Sequence, residues 1–321
     1  MFQSLSESAD FFLFPDPGYT HMFFESEIMM EAQTCSTGYG KPPWRFKGRA
    51  LYQFHLVKSD VARALIPKEF TLVQAFGYTL GGFFYANYDH SPAGVFDELV
   101  VIAGIVWNPP TSCAWASKVL VSSNEACLHG RKEVGLPSHV ARFTQRLATD
   151  PRPERSRGNR FLNMIGLATT KPSSRLHLDT EVTELSGRTH TSEDFSINLQ
   201  SSVPEENSKV WLGPFIKMSL PSFSGRTEYN PNLLKYSCQM ECRVRVIQPL
   251  QIYKAPPITD LRTERQDAEE QQSSNSAHRA MAETNENRRH LSLSVMLSKP
   301  ILALEFNCLN MNVEDPLIIS E

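Results

Sequence analysis

Two charged side chains stand where a binding or catalytic site could form. Arg49 lies near the start of a strand-like run, where its fork of donors could hold an anionic or polar ligand group, or could simply cover the strand end. Glu98 heads an apolar run, where burial would raise the pKa of its carboxyl and suit it to proton transfer. If Glu98 instead pairs with Arg49, the two form a structural ion pair. The sequence favours a pocket that both side chains share.

The segment from Gly130 to His139 carries a second group of polar side chains. Ser138 and His139 are adjacent, so on a strand they would point to opposite faces, which argues against a nucleophile–base pair. Arg131 could bind a ligand or pin the loop through hydrogen bonds to carbonyls, and the second role is favoured. Lys132 lies on a predicted helix and should face water. The histidines show no metal-ligand spacing, and the sequence predicts neither a metal nor another cofactor.

Composition excludes several classes of protein. Of the 321 residues, 41% are hydrophobic and 21% are charged, as is typical of a globular protein. A formal net charge of −3 gives no electrostatic basis for nucleic-acid binding. No apolar run reaches the roughly 18 residues that a membrane-spanning helix requires. The six scattered cysteines predict reduced thiols. The sequence therefore predicts a soluble, intracellular protein with no transmembrane segment and no nucleic-acid partner.

Short strands dominate the predicted secondary structure, and helices are few. The run 98–107 is the strongest strand; it is apolar on both faces, so both faces should be covered. Sheet-like patterns continue towards the end of the chain, at 291–297 and 301–309. Many strands with short connections predict a β-rich α+β fold, built as a closed or nearly closed antiparallel barrel with a few peripheral helices.

The chain divides into one predicted domain and two flanking segments. Residues 1–36 are expected to be a disordered or loosely attached extension. Residues 37–314 should form a single domain, and 315–321 a tail. Within the domain, the stretch 262–290 is poor in apolar residues, which predicts a disordered insertion between two strands.

A resemblance to the acetoacetate decarboxylase family runs through three segments in order. The family's signature loop reads Gly-Arg-Glu, four variable residues and Pro-Lys-Lys. The three matching segments are Phe46-Lys47-Gly48-Arg49, Gly94-Val95-Phe96-Asp97-Glu98 and Gly130-Arg131-Lys132-Glu133-Val134-Gly135-Leu136-Pro137-Ser138-His139. The resemblance implies the family's cone-shaped barrel, with Arg49 as its carboxylate-binding arginine and Glu98 as its active-site glutamate. Since the family enzyme is oligomeric, it also allows an oligomer.

Departures from the family pattern change the predicted chemistry. Ser138 stands where the family has the lysine that forms a Schiff base, and a hydroxyl cannot form an imine. Phe83 aligns with a second family carboxylate. The pocket implied by the resemblance is therefore more apolar and suits a hydrophobic ligand. Its predicted lining is Arg49, Phe83, Glu98, Arg131, Ser138 and His139.

A longer resemblance covers about residues 35–314, and it points to a plant family in this superfamily that is required to make neoxanthin from violaxanthin, upstream of abscisic acid. It is carried by the segments 38–44, 75–82, 91–115, 129–137 and 297–308. The resemblance implies a role in that pathway but not the chemistry; the loss of the lysine and the aromatic at Phe83 favour an accessory or ligand-binding pseudoenzyme. Its implied partner is an apolar small molecule such as a carotenoid, or a membrane-bound neoxanthin synthase.

Two enzymatic alternatives remain. The first is a lysine-independent isomerase or lyase that uses Glu98 as base and Arg49 as electrophile. The second is a true decarboxylase with an amine such as Lys132 or Lys118, and this is not expected.

The predicted compartment depends on two signals that disagree. The pathway implied by the resemblance is plastidial, which predicts the chloroplast. Residues 1–30 contain five acidic residues and no lysine or arginine, unlike a basic transit peptide. A second start at Met29 or Met30 is plausible, and without plastid import the expected compartment is the cytoplasm.

Overall fold

Strands make up most of the structure. The structure is a computed structural model, and it describes residues 39–109, 111–149, 176–185, 195–202, 212–254 and 276–319. The strands are β1 Trp44–Lys58, β2 Thr71–Leu72, β3 Tyr78–His90, β4 Phe96–Asn108, β5 Thr111–Val121, β6 Ser138–Thr149, β7 Leu176–Glu184, β8 Ser196–Ser202, β9 Phe215–Gly225, β10 Leu233–Ile247, β11 Gln251–Lys254, β12 Lys299–Val313 and β13 Leu317–Ile318. The helices are α1 Ser59–Leu65, α2 Asn124–Lys132 and α3 Ser276–Met296.

Seven strands close into a barrel. Their order around it is β1, β3, β4, β5, β9, β10 and β12, and β12 pairs back to β1. Neighbouring strands of the barrel are antiparallel, except that β5 and β9 are parallel. In that pair, Ala114 lies opposite Ser222 and Trp115 lies opposite Phe223. The predicted barrel with few helices is therefore confirmed.

Alternating side chains build one core inside the barrel and a second core outside it. Along β3, Phe84 and Tyr88 point inward, whereas Phe83 points outward, because successive side chains of a strand face opposite ways. Strand β4 is apolar on both faces, as its sequence predicts. Its Leu99 belongs to the outer core, while Ile102 belongs to the inner core.

A second layer covers part of the outer face of the barrel. Strand β6 pairs in parallel with β5 and leads into a sheet with β7, β8 and β11. Val182 and Ile197 of this layer pack with Val295 and Met296 of α3 in the outer core. The barrel wall is thus buried between an inner and an outer apolar cluster.

Two predictions near the C-terminus are corrected. The segment 291–297 was expected as sheet, but 291–296 completes α3, and its buried residues Ser292, Val295 and Met296 have helical spacing. Of the predicted disordered insertion 262–290, the part from 276 is helical, and 262–275 lies outside the described residues. In the predicted tail, β13 pairs with β10.

Within the described ranges, no helix combines the length and the apolar character needed to cross a membrane.

Candidate functional site

The barrel encloses a cavity of about 300 Å³. Inward side chains of all seven barrel strands line it, together with α2 and the loop that follows α2. Most of the lining is apolar, and its aromatic members include Trp44, Phe46, Tyr52, Phe54, Phe84, Phe96 and Phe306. The volume lies at the lower end of the range of small-molecule sites, about 300–1,000 Å³.

Glu98 provides the single carboxylate among the described residues of the lining. The Tyr88 hydroxyl donates a hydrogen bond of 2.8 Å to its Oε2. Burial raises the pKa of Glu98 to about 7, although the bond from Tyr88 acts in the opposite direction. Burial also raises the pKa of Tyr88 well above its ordinary value. Tyr88 therefore stays a donor while Glu98 changes charge close to neutral pH.

A stacked pair of rings lines the cavity beside α2. Tyr39 stacks on His129 with ring centroids 3.5 Å apart, and Trp44 meets His129 edge-on at 4.5 Å. Burial lowers the pKa of His129 to about 4, so the imidazole is neutral at physiological pH. Its Nε2 atom has no hydrogen-bond partner within the part of the chain that the structure describes. This end of the cavity therefore carries a neutral ring with unused hydrogen-bonding capacity.

Ser138 reaches the cavity because the loop between α2 and β6 is tightly held. The Leu136 amide donates to the Gly130 carbonyl at 2.8 Å, and Arg131 Nε donates to the Ser138 carbonyl at 2.6 Å. A Cβ atom on Gly130 would lie 2.8 Å from Ser138 Oγ, so a larger residue there would force the Ser138 side chain to move. The buried Ser138 hydroxyl thus lies in the wall where the resemblance places an amine.

The structure corrects the prediction that Arg49 lies in the pocket. Arg49 is exposed on the outer face of the barrel, and its Nε donates to Asn87 Oδ1 at 3.3 Å. Its neighbour Ala50 packs in the inner core, so strand alternation sends Arg49 outward. The structure shows no ion pair between Arg49 and Glu98 in the described ranges, and Arg49 does not line the cavity.

The predicted place of Phe83 in the pocket is also corrected. Phe83 is fully buried, but it lies in the outer core, where its ring meets His55 at a centroid distance of 5.8 Å. Phe84 faces the cavity instead. The aromatic character predicted for the pocket is therefore present, but it comes from other positions.

Arg131 and His139 do not line the cavity either. Besides the Ser138 carbonyl, Arg131 contacts Tyr229, whose hydroxyl lies 3.1 Å from Nη1, so Arg131 pins the loop. His139 points to the opposite face from Ser138, as the sequence predicts, and its Nδ1 lies 3.1 Å from Glu184 Oε1. Of the predicted pocket residues, only Glu98 and Ser138 share the cavity.

The sequence did not reveal an ionic cluster behind the cavity wall, in which Lys118 and Glu184 are buried. Lys118 Nζ lies 3.0 Å from Glu184 Oε2, and Arg289 Nε lies 3.3 Å from the same oxygen. His139 completes the group. The sequence feature that could have indicated this cluster is Lys118, a lysine inside the apolar run of β5. Glu184 and Arg289 lie in separate regions of the sequence without any motif.

Burial and mutual attraction set the charges of this cluster. Burial lowers the pKa of Lys118, and Glu184 opposes that effect. Burial alone would raise the pKa of Glu184, but Lys118 and its other cationic neighbours hold it below its usual range. Burial, with Lys118 nearby, lowers the pKa of His139 to about 4. One carboxylate therefore faces two basic side chains and, at neutral pH, an uncharged imidazole.

No three histidine, cysteine, aspartate or glutamate side chains come together as a metal site in the described ranges.

Comparison with known proteins gives three similar relatives with one name. The chain is 58% identical over 292 residues to Protein NEOXANTHIN-DEFICIENT 1 of Solanum lycopersicum, covering 90% of this chain and 96% of that protein. It is 55% identical over 290 residues to the protein of the same name from Arabidopsis thaliana, covering 90% and 98%. For the Oryza sativa protein the identity is 52% over 291 residues, covering 90% and 93%. No family model matches the chain.

Solved structures resemble the chain more distantly. The enduracididine biosynthesis enzyme MppR complexed with pyruvate matches with a TM-score of 0.47 and 11% identity, covering 90% of this chain and 94% of that one. Acetoacetate decarboxylase from Legionella pneumophila matches with a TM-score of 0.43 and 10% identity, covering 91% and 95%.

Proposed function

This chain belongs to the NEOXANTHIN-DEFICIENT 1 family, and on that premise we propose that it is required for neoxanthin biosynthesis, as an accessory protein that binds an apolar ligand. The observation that carries the binding role is the apolar barrel cavity with Glu98 and Tyr88 in its wall. A mostly apolar pocket with a few placed polar groups is the usual form of a small-molecule site.

The ligand class that fits this lining is a xanthophyll. Such a molecule has two oxygenated rings joined by a long, apolar polyene. A cavity of about 300 Å³ holds one ring end rather than the whole molecule. The ring oxygens would then find Glu98, Ser138 or the unpartnered Nε2 of His129, while aromatic side chains pack on the ring carbons.

The cavity chemistry argues against a decarboxylase. A Schiff base requires an amine at the ligand, and no lysine is among the described residues that line the cavity. Lys118 is held behind the wall by Glu184, and Lys132 is exposed. We therefore propose that the chain is a pseudoenzyme with respect to decarboxylation.

Titration of the purified protein with violaxanthin tests the binding role. Trp44 lines the cavity, so a bound polyene should quench part of the tryptophan fluorescence in a saturable way. Ala114→Phe fills the cavity and should abolish the saturable quenching. Ala64→Phe makes the same change at an exposed position of α1 and should bind like the natural chain. Absence of saturable binding in the natural chain would reject the proposal.

A second candidate function is a lysine-independent isomerase or lyase at the same site. Opening an epoxide to an allene moves a proton from carbon and delivers a proton to the epoxide oxygen. The pKa of Glu98, about 7, favours such transfers near neutral pH. Arg49 lies outside the barrel and cannot donate to the epoxide oxygen. The Tyr88 hydroxyl is the donor in the cavity wall that could do so instead.

Rescue of a deficient plant distinguishes the two functions. Glu98→Gln keeps the side-chain shape but cannot exchange a proton. An accessory protein should still restore neoxanthin with this change, whereas an isomerase should fail. Glu125→Gln, at an exposed position of α2, is the matched control and should restore neoxanthin in both cases.

We extend the proposal to the compartment and the partner. We propose that the protein acts in the chloroplast, beside a membrane-bound neoxanthin synthase, on the pathway that leads to abscisic acid. Fluorescent fusions that begin at Met1 and at Met30 test the compartment. Failure of both to enter plastids would refute this placement.

A further inference from the structure

An exposed aromatic side chain stands at the tip of a tight turn. Ala75 and Tyr78 exchange two backbone hydrogen bonds of 2.8 and 3.0 Å, which leaves Phe76 and Gly77 as the two central residues. Both central residues have positive φ, 52° and 79°, as in the type I′ turns that favour Asn-Gly. Phe76 is 100% exposed. A strained backbone and an exposed phenyl ring both disfavour phenylalanine here, so folding does not explain it.

The turn adjoins an apolar patch that continues the cavity lining outward. Phe54 and Leu304 line the cavity and are partly exposed. Leu302 pairs with Phe54, and Val246 pairs with Leu304, so these side chains share the inner face of the barrel. Leu302 is 37% exposed and Val246 is 69% exposed. The apolar surface of the cavity therefore reaches solvent at this end.

The neighbouring strands extend the patch towards Phe76. Leu80 pairs with Leu56 on the same inner face, one step beyond Phe54. Leu80 and Tyr78 are both exposed. We call the group Phe76, Tyr78, Leu80, Leu302 and Val246 the apolar rim. A contiguous exposed group of this kind marks a site of interaction with a partner or a membrane.

Two lysines flank the apolar rim. Lys58 pairs with Tyr78, and Lys299 pairs with Leu56, so both stand on the inner face at the strand ends, and both are exposed. The strand ends 54–58, 78–82 and 299–304 contain no aspartate or glutamate. Exposed aromatic and aliphatic side chains flanked by lysines complement a lipid surface that is apolar inside and anionic outside.

We propose that the apolar rim docks this protein on the surface of a lipid bilayer, with Phe76 inserted among the acyl chains and Lys58 and Lys299 against anionic headgroups. The mouth of the cavity then faces the membrane, and an apolar ligand passes between the two without crossing water. This inference goes beyond the proposed function, because docking on protein-free lipid does not depend on which ligand the cavity binds.

Vesicle flotation tests the proposal. The full chain should float with phosphatidylcholine vesicles, and more strongly when they contain phosphatidylglycerol. Phe76→Asn should weaken partitioning about tenfold or more, because the ring's transfer from water is lost. Asparagine suits the turn, so the variant should resist urea at least as well as the natural chain. Val95→Asn changes an exposed loop residue before β4, outside the rim, and should leave flotation unchanged.

The lysines supply a second arm that does not depend on Phe76. Each of Lys58→Gln and Lys299→Gln should reduce binding to the anionic vesicles about fivefold, with little effect on the neutral ones. Equal flotation of the natural chain and Phe76→Asn would overturn the proposal. The proposal would also be overturned if the chain bound neither kind of vesicle but bound plant membranes, and lost that binding once the membranes were treated with protease. The rim would then dock a protein. Pigment titration is scored separately, so failure of docking and failure of the proposed function are distinguishable.

Discussion

Tyr88 and Glu98 form a 2.8 Å hydrogen bond on the inner wall of the barrel. The carboxyl of Glu98 is therefore held by a neutral hydroxyl and not by the guanidinium of Arg49, which lies on the outer face. Without a cation to stabilise its charge, the buried carboxyl keeps a raised pKa. Near neutral pH it can donate a hydrogen bond to a ligand oxygen or accept one.

Glu98 should make stability fall as the pH rises. Its pKa goes from 4.5 to about 7 on folding, so the folded chain binds this proton more tightly than the unfolded chain. The stabilisation is complete below about pH 4.5 and is lost as the pH rises through about 7, a change of up to about 3 kcal/mol. Glu98→Gln removes this contribution. In urea unfolding, the free energy of unfolding of the variant relative to that of the natural chain should therefore rise between about pH 5 and about pH 8. A constant difference between the two chains would show that Glu98 titrates like a solvated carboxyl.

Removing a charge from the ionic cluster behind the cavity wall should lower the free energy of unfolding far more than removing a charge from a surface ion pair. Glu184→Gln leaves the buried amine of Lys118 without its carboxylate, and we expect a loss of about 3 kcal/mol or more in the free energy of unfolding. Glu241→Gln removes the partner of Lys217 in an exposed pair, where the loss should stay below about 1 kcal/mol. Urea unfolding at neutral pH measures both. Similar losses for the two variants would mean that water reaches the cluster.

Borohydride should trap no acetoacetate adduct on this chain. The amine of Lys118 is paired with Glu184 outside the cavity, and Ser138 offers only a hydroxyl inside it. Intact-mass measurement after reduction should show the unmodified chain, with an acetoacetate decarboxylase treated in parallel as the positive control. An adduct that maps to Lys118 would restore a covalent mechanism and refute the pseudoenzyme proposal.

Patterns within single strands were predictable from the sequence. The apolar run from Glu98 onward indicated a strand covered on both faces, and strand alternation correctly placed Ser138 and His139 on opposite faces. Such statements need only the two-residue period of a strand. The place of Glu98 in the pocket wall came instead from the resemblance to the acetoacetate decarboxylase family, because alternation alone does not say which face of a strand borders a cavity.

Relationships between strands were not predictable in that way. Ala86 pairs with Glu98 on the inner face, so Phe83, three residues earlier on β3, must face outward. Motif alignment gave Phe83 and Arg49 positions along the chain but not the face on which each side chain lies. The cluster of Lys118, Glu184 and Arg289 depends on contacts between distant segments that no local pattern encodes.

The structure of the chain with bound violaxanthin tests the central claim most directly. One ring of the pigment should lie inside the barrel, with an oxygen about 3 Å from Glu98 or Ser138 and the polyene leaving past Phe54 and Leu304. Pigment bound only on the outside of the barrel, with the cavity unchanged, would contradict the account.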